Sequence, residues 1–186
     1  MNNVIIYLVF GLVLLGIKDV QSQNIDEKKN LIGMPFPSMK VKALSGKTVQ
    51  YPVSLKGKVT LILIAFERNT QEKIDTWMMP FIEKYDKADD VLFYEIPMLK
   101  RRWKLMSPVI DRGMRSGIPS ERHGNVTTFY GNINKYRKLL NMDDTSDAYV
   151  FLLDKNGIIQ WHISGSATEE RLRLLYEKTE SLRKTS

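Results

Sequence analysis

The sequence predicts an α/β fold in which helices cover both faces of a mixed central sheet. Residues 59–66 form an almost continuous apolar run rich in β-branched side chains, which is typical of a strand buried on both faces. Runs with strand character alternate with runs of helical spacing along the chain. Near the C-terminus, Asn156-Gly157 separates two apolar runs, as a tight hairpin requires. We expect one domain, since about 160 residues suffice for a single core.

The N-terminal half predicts a hairpin, a buried strand, a helix and a second core strand. The turn Ser45-Gly46-Lys47 separates two short alternating runs, which indicates the hairpin. Apolar residues then recur at helical spacing around Pro80, a residue expected to kink this helix. The predicted elements are strands 39–44 and 48–51, strand 59–66, helix 71–87 and strand 91–96.

The C-terminal half predicts two further helices around a short strand, then the hairpin and a final helix. Pro108 weakens the first of these helices. Ser166 or Thr168 can cap the last helix, with Glu169 in its first turn. The predicted elements are helix 100–116, strand 126–130, helix 134–140, strands 148–153 and 158–163, and a helix ending at 184.

The first 22 residues predict an export signal rather than part of the fold. The apolar run from Val4 to Ile17 is short for a membrane span but suits a signal peptide, and Val20-Gln21-Ser22 resembles a cleavage site before Gln23. An uncleaved membrane tether stays open as an alternative, since the segment before the run carries no Lys or Arg. We therefore predict a signal or tether over 1–22, a linker over 23–31 and a folded domain over 32–186.

Positive charge is concentrated in the middle third of the chain. The chain has a net charge of +7, and between Leu99 and Lys138 ten cationic residues stand against Asp111 and Glu121 alone. Trp103 lies among these cations, so the segment predicts binding to an anionic membrane surface or to a protein partner. The alternative is a solvated helix with its Trp in the core. The predicted binding residues are Lys100, Arg101, Arg102, Trp103, Lys104, Arg112, Arg115, Arg122 and His123.

The residues of the chain predict no metal, cofactor or nucleic-acid site. The two histidines, His123 and His162, lack a metal-binding spacing, and the chain has no cysteine. Phosphate-binding loops and the nucleophile elbow are also absent. We expect His162 to be an exposed strand residue. Two alternatives stay open: an acid–base enzyme using Asp111 or Glu121 with His123, and a cysteine-free enzyme with Arg122 and His123 in a cleft. A structural or surface role of His123 is favoured over catalysis.

Several motifs resemble the thioredoxin-like superfamily, and especially its exported redoxin branch. Gly57-Lys58 precedes the buried strand, and a Tyr149–Asp154 run leads to Gly157 and Gly165. Within that superfamily the second half is similar to the assembly factors of the mitochondrial ATP synthase membrane sector, the ATPase-complex assembly subunit ten family. The similar motifs are Arg122-His123, Phe129-Tyr130-Gly131-Asn132, Arg137 with Leu140, Tyr149-Val150-Phe151-Leu152-Leu153-Asp154, Ile159-Gln160-Trp161 and Gly165-x-Ala167-Thr168-x-Glu170.

The resemblance implies a scaffold that has lost its redox chemistry. Redox members carry a Cys pair between the buried strand and the following helix, where this chain has Arg68-Asn69-Thr70-Gln71. They also carry a proline before the penultimate core strand, where this chain has Asp147-Ala148. Thiol–disulfide and cysteine peroxidase activity are therefore excluded.

What remains is binding, so the resemblance implies a non-redox module, an assembly factor or chaperone for a membrane-protein complex. The alternatives are the cysteine-free enzyme and a secreted structural protein without ligand. The leader lacks the Arg-rich character of a mitochondrial transit peptide. We therefore expect an exported protein of the bacterial periplasm or envelope, with the mitochondrial inner membrane less favoured.

Overall fold

The computed structural model describes residues 30–185, so the predicted leader over 1–22 and most of the linker lie outside it. Four α-helices and seven strands form within these residues. The strands are β1 (Met39–Ala43), β2 (Thr48–Tyr51), β3 (Val59–Ala65), β4 (Val91–Lys100), β5 (Thr127–Gly131), β6 (Tyr149–Leu153) and β7 (Ile159–Ser164). The helices are α1 (Gln71–Tyr85), α2 (Ser107–Gly117), α3 (Ile133–Leu139) and α4 (Glu169–Lys184).

All seven strands join one mixed sheet in the order β2-β1-β5-β4-β3-β6-β7. The central strands β3, β4 and β5 run parallel, whereas β1 and β6 pair antiparallel with β5 and β3. Every residue of β3 is buried, as its apolar run predicts, because helices cover both faces of the sheet there. The predicted α/β class with a mixed central sheet is confirmed.

The two faces of the sheet are covered by different helices. On one face, α1 and α4 pack on β3 and β6 through buried residues that include Trp77, Phe81 and Leu175. On the other face, α3 and the segment before β1 form a second core with Phe36, Tyr51 and Phe151 among its members. Stability therefore rests on two apolar layers, with the sheet between them.

The C-terminal hairpin and helix form as predicted. Gly157 adopts a positive φ of 79°, and the Asp154 carboxylate accepts hydrogen bonds from the amides of Asn156 and Ile158. The Thr168 hydroxyl accepts a hydrogen bond from the Arg171 amide and so caps α4. Both local motifs are read correctly from the sequence because their hydrogen bonds join residues close together in the chain.

The basic segment departs from its prediction as one helix. A 3₁₀ helix over Arg101–Met106 comes first, and α2 begins only at Ser107, with Pro108 in its first turn. Proline is favoured there because its missing N–H has no partner in a first turn. β4 also extends to Lys100, beyond its predicted end at 96, because Met98, Leu99 and Lys100 pair with β5. None of the described helices combines the length and apolar character that crossing a membrane requires.

Candidate functional site

A large apolar groove lies beside the start of α1. α1 and α4 cover β3, β6 and β7, whereas the outer part of β4 on the same face is left for the groove. The groove has a volume of about 800 Å³. The end of β3 with the turn after it, α1, β4, the basic segment and the loop before β5 all contribute side chains to its lining.

β4 forms the floor of the groove through residues two apart in sequence. Phe93, Glu95 and Pro97 share this face because side chains alternate along a strand. The Glu95 amide donates to the Asn125 carbonyl at 2.8 Å, and the Asn125 side-chain amide donates to the Phe93 carbonyl at 2.9 Å. Glu95 is only 4% exposed. A carboxyl group is thus held by rigid backbone at the bottom of an apolar groove.

Burial raises the pKa of Glu95 to about 7, since removal from water disfavours the charged form. A hydrogen bond from the Gln71 side chain opposes the shift, and the negative charge of Asp75 adds to it. The Gln71 amide also donates to the Asp75 carboxylate at 3.0 Å, so α1 brings two polar side chains to the groove. Glu95 therefore changes its charge near neutral pH.

The position of the missing redox pair lies at the groove. The 3₁₀ turn Arg68–Thr70 leads directly into α1, and both Arg68 and Gln71 line the groove. Asn69 is exposed beside them, whereas Thr70 is buried and its hydroxyl has no hydrogen-bond partner within residues 30–185. Of the four residues at this position, Arg68 and Gln71 line the groove, whereas Asn69 and Thr70 are not part of its lining.

One side of α2 forms the outer wall of the groove. Ile110, Gly113, Met114 and Gly117 recur at helical spacing and face the groove together. A Cβ atom added at Gly113 or Gly117 would meet nothing within 4 Å, so this wall leaves open space. Three further methionines line the groove, and flexible thioether side chains adapt to irregular apolar surfaces. They are Met78, Met79 and Met98.

The predicted basic cluster divides between the groove and the outer surface. Trp103 lines the groove and is 44% exposed, so it is not the core residue of the alternative interpretation. Arg122 also lines the groove, where its guanidinium contacts the Met79 sulfur at 3.5 Å. Arg115 donates to the Leu44 carbonyl at 3.3 Å. The remaining exposed cations of the cluster are Lys100, Arg101, Arg102, Lys104 and Arg112.

The two histidines have different surroundings. The Nε2 atom of His123 lies 2.9 Å from the Ile118 carbonyl and 3.2 Å from the Arg115 carbonyl, so it donates its proton to backbone. His123 does not line the groove with Arg122, and this separation does not favour a paired catalytic role. His162 is exposed on β7 as predicted, with its ring stacked on Phe151. Among residues 30–185, no cluster of side chains is suited to a metal ion.

Glu95 is the feature of the site that the sequence prediction missed. Its strand was predicted correctly, and a single acidic residue within the run Val91–Ile96 was the available signal. Glu95 is buried because β4 lies between its parallel neighbours β3 and β5 and because the basic segment lies over this part of the sheet. An isolated carboxyl group in a predicted core strand is thus the pattern that could have located the groove.

The fold resembles solved structures of Sco proteins and of a thiol:disulfide interchange protein. BsSco, a member of the Sco family of cytochrome c oxidase assembly proteins, is 16% identical with a TM-score of 0.58, over 85% of this chain and 98% of that one. Copper-bound yeast Sco1 is 17% identical with a TM-score of 0.55, over 82% and 95%. The thiol:disulfide interchange protein DsbE of Chlorobium tepidum is 18% identical with a TM-score of 0.54, over 81% and 97%. The predicted thioredoxin-like fold is confirmed.

Sequence comparison gives the narrower relationship. No curated protein matches the chain. The model of a family described as ATP10 protein matches residues 28–182, which include every described strand and the groove. The resemblance proposed from the second half of the sequence is confirmed and extends over the first half. The chain belongs to the ATP10 protein family.

Proposed function

We propose that this protein is a non-redox binding module that holds a membrane-protein subunit while a complex is assembled. One observation carries the proposal: an apolar groove lies where thioredoxin-like enzymes carry their thiols, in a chain that has no cysteine. Membership of the ATP10 protein family and the similarity to Sco assembly proteins support the same role. In this proposal the thioredoxin-like fold is retained, and binding of a partner protein takes the place of thiol redox chemistry.

The groove suits an apolar helix of a partner. Gly113 and Gly117 stand four residues apart on the wall of α2, and small residues at this spacing let two helices approach closely. The methionines of the groove provide an apolar surface that adjusts to its ligand. A helix of a membrane protein would bury its apolar side chains in this groove instead of exposing them to water.

The outer surface of the basic segment suits the surface of an anionic membrane. Leu105 is 92% exposed, and Trp103, Met106 and Val109 are also exposed beside it. Lys or Arg residues near an anionic bilayer contribute about 1 kcal/mol each to membrane binding. Contact of this surface with the bilayer would bring the groove close to a newly inserted subunit. The cations around the apolar side chains are Lys100, Arg101, Arg102, Lys104 and Arg112.

Site-specific photo-crosslinking in cells tests the groove. A photoreactive amino acid replaces Met114 in the groove, and in a second strain it replaces the exposed Lys178 on α4. We expect the Met114 position to crosslink to a hydrophobic membrane-protein subunit and the Lys178 position to give no such product. Crosslinks at Met114 only to soluble proteins, or equal products at both positions, would contradict the proposal.

Vesicle co-sedimentation tests the membrane surface. Arg101→Glu with Arg102→Glu should weaken binding to vesicles that contain anionic lipid by at least about tenfold, because four units of charge change at the bilayer. Lys40→Glu with Lys178→Glu changes the net charge equally at distant exposed positions and serves as the control. Equal losses in both variants would show that only net charge matters.

An exported location stays a prediction from residues 1–22.

A further inference from the structure

We infer that Glu95 is the recognition group of the groove and pairs with a single Lys or Arg side chain carried by an otherwise apolar partner helix. This inference rests on the proposed function and names the chemistry of the ligand. The evidence is the burial of Glu95, the charged groups in the same groove and the lack of an ion pair of Glu95 within the described residues.

No cation of the described chain neutralises Glu95. The ion pairs within residues 30–185 are Lys73–Asp147, Arg173–Glu177 and the contacts of Arg183 with Asp90 and Glu180. Arg68 and Arg122 line the same groove, yet neither forms an ion pair with Glu95. The buried carboxyl group thus has a hydrogen-bond partner in Gln71 but no counter-charge, and a cationic ligand would provide one.

The free energy of burial favours a cationic ligand. An ionised carboxylate in an apolar site is costly unless an opposite charge and hydrogen bonds compensate for the lost water. An ammonium or guanidinium group provides both, through short charge-assisted hydrogen bonds. A wholly apolar helix would cover Glu95 without supplying a counter-charge, so the groove would discriminate against such a helix whenever Glu95 is ionised.

Acidic ligands are disfavoured by the other carboxylates of the groove. Asp75 on α1 and Glu67 after β3 add negative charge around Glu95. Both carboxylates accept hydrogen bonds from the protein itself, Asp75 from Gln71 and Glu67 from the Thr145 hydroxyl at 2.8 Å. Both are more exposed to water than Glu95, so Glu95 gains more from a cationic partner than they do.

The apolar lining limits the ligand to one such charge. Met78, Phe93, Ile110 and Met114 line the same groove as Glu95. A second cation on the same part of a helix would meet these side chains without a partner. Charged residues are rare in membrane-spanning segments, so a lone cation would distinguish one segment from the rest.

Fluorescence anisotropy with labelled peptides tests the inference on the full chain. One leucine- and alanine-rich peptide carries a central Arg, and its partner peptide carries Leu at that place. We expect the wild-type protein to bind the Arg peptide about tenfold more tightly. Glu95→Gln should abolish the preference, whereas Glu83→Gln, an exposed change on α1 outside the groove, should keep it.

The preference should also grow as pH rises from about 6 to about 8, since Glu95 then becomes ionised. The other charged groups that line the groove are Asp75, Glu67, Arg68 and Arg122. A pH-independent preference that survives Glu95→Gln would overturn the inference.

A second variant separates this inference from the proposed function. Gly113→Leu adds an apolar side chain to the wall at a position where a Cβ atom meets nothing within 4 Å, and Leu favours a helix more than Gly. It should weaken binding of both peptides equally. If Gly113→Leu weakens binding of both peptides while the wild type binds them equally tightly, the groove binds helices but Glu95 does not select among them. Failure of both peptides to bind would overturn both proposals.

Discussion

The sheet with α1 and α4 is built differently from the segment 101–117 that forms the groove wall. Trp77 on α1 is fully buried, its Nε1 donates to the Gly165 carbonyl at 2.7 Å, and its ring packs edge-on against Trp161. The wall has no buried residue in its 3₁₀ helix or in α2. Burial of apolar side chains therefore stabilises the sheet with α1 and α4, whereas the segment 101–117 depends on polar contacts.

Polar contacts hold the wall at a few points. The Tyr130 hydroxyl donates to the Asp111 carboxylate at 2.7 Å, the Arg115 guanidinium reaches the Leu44 carbonyl, and His123 binds the Ile118 carbonyl. Such contacts fix a position but add little net stability, about 0.5–1.5 kcal/mol each. The difference teaches that the core supplies most of the free energy of folding, while the wall contributes little to it because none of its residues is buried.

The same substitution in the two regions gives the largest expected difference. Trp77→Ala should lower the free energy of unfolding by about 3–5 kcal/mol, because it opens a cavity in the core and leaves the Gly165 carbonyl unpaired. Trp103→Ala, in the wall, should cost less than about 1 kcal/mol, since its side chain is half exposed. Urea unfolding measures both values. Equal losses would erase the distinction between the regions.

Glu95 lies where the two regions meet, and its effect on stability depends on pH. Its pKa is about 7 in the folded protein and lies near 4.5 when unperturbed, so the folded state binds more protons between these values. Stability is therefore lost as pH rises through this window. Relative to Glu95→Gln, the wild type should lose about 2–3 kcal/mol between about pH 5 and about pH 8.

Urea unfolding of both proteins at the two pH values checks this expectation. Glu83→Gln controls for the general loss of one negative charge, since Glu83 is exposed. A stability difference that does not change with pH would mean that Glu95 is solvated in the folded protein. The floor of the groove would then resemble the wall and not the core.

Charge reversal in the wall gives the smallest expected effect on folding. Arg101→Glu with Arg102→Glu should change the free energy of unfolding by less than about 0.5 kcal/mol, because both side chains are exposed and neither forms an ion pair within the described residues. Thermal unfolding measures this change beside the vesicle binding of the same variant. Strong destabilisation would show that the wall contributes to the folded core after all.

The sequence predicted the fold well where hydrogen bonds and packing follow local patterns. The hairpin at Asp154–Gly157, the capped helix after Thr168 and the fully buried β3 all agree with their patterns. The position of the basic segment was predicted correctly, but its secondary structure was not, since α2 begins only at Ser107 with Pro108 in its first turn. Helix periodicity alone does not distinguish a 3₁₀ helix from the first turns of an α-helix.

Less of the site could be predicted. Arg68, Gln71, Trp103 and Arg122 were named from charge and from the position of the missing thiols, and they do line the groove. That they share one groove depends on the sheet order, which brings together segments far apart in the chain. Glu95 was missed for the same reason.

The sequence by itself determined that this chain supplies no thiol, that the fold is α/β and that positive charge collects in one segment. These conclusions depend on composition and on short-range periodicity, which a linear chain carries explicitly. Only the tertiary structure decided that Glu95 is buried and that α2 forms a wall over it. Burial depends on β4, α1 and the loop at Asn125 meeting in space, and a carboxyl group loses its water only when all three are in place.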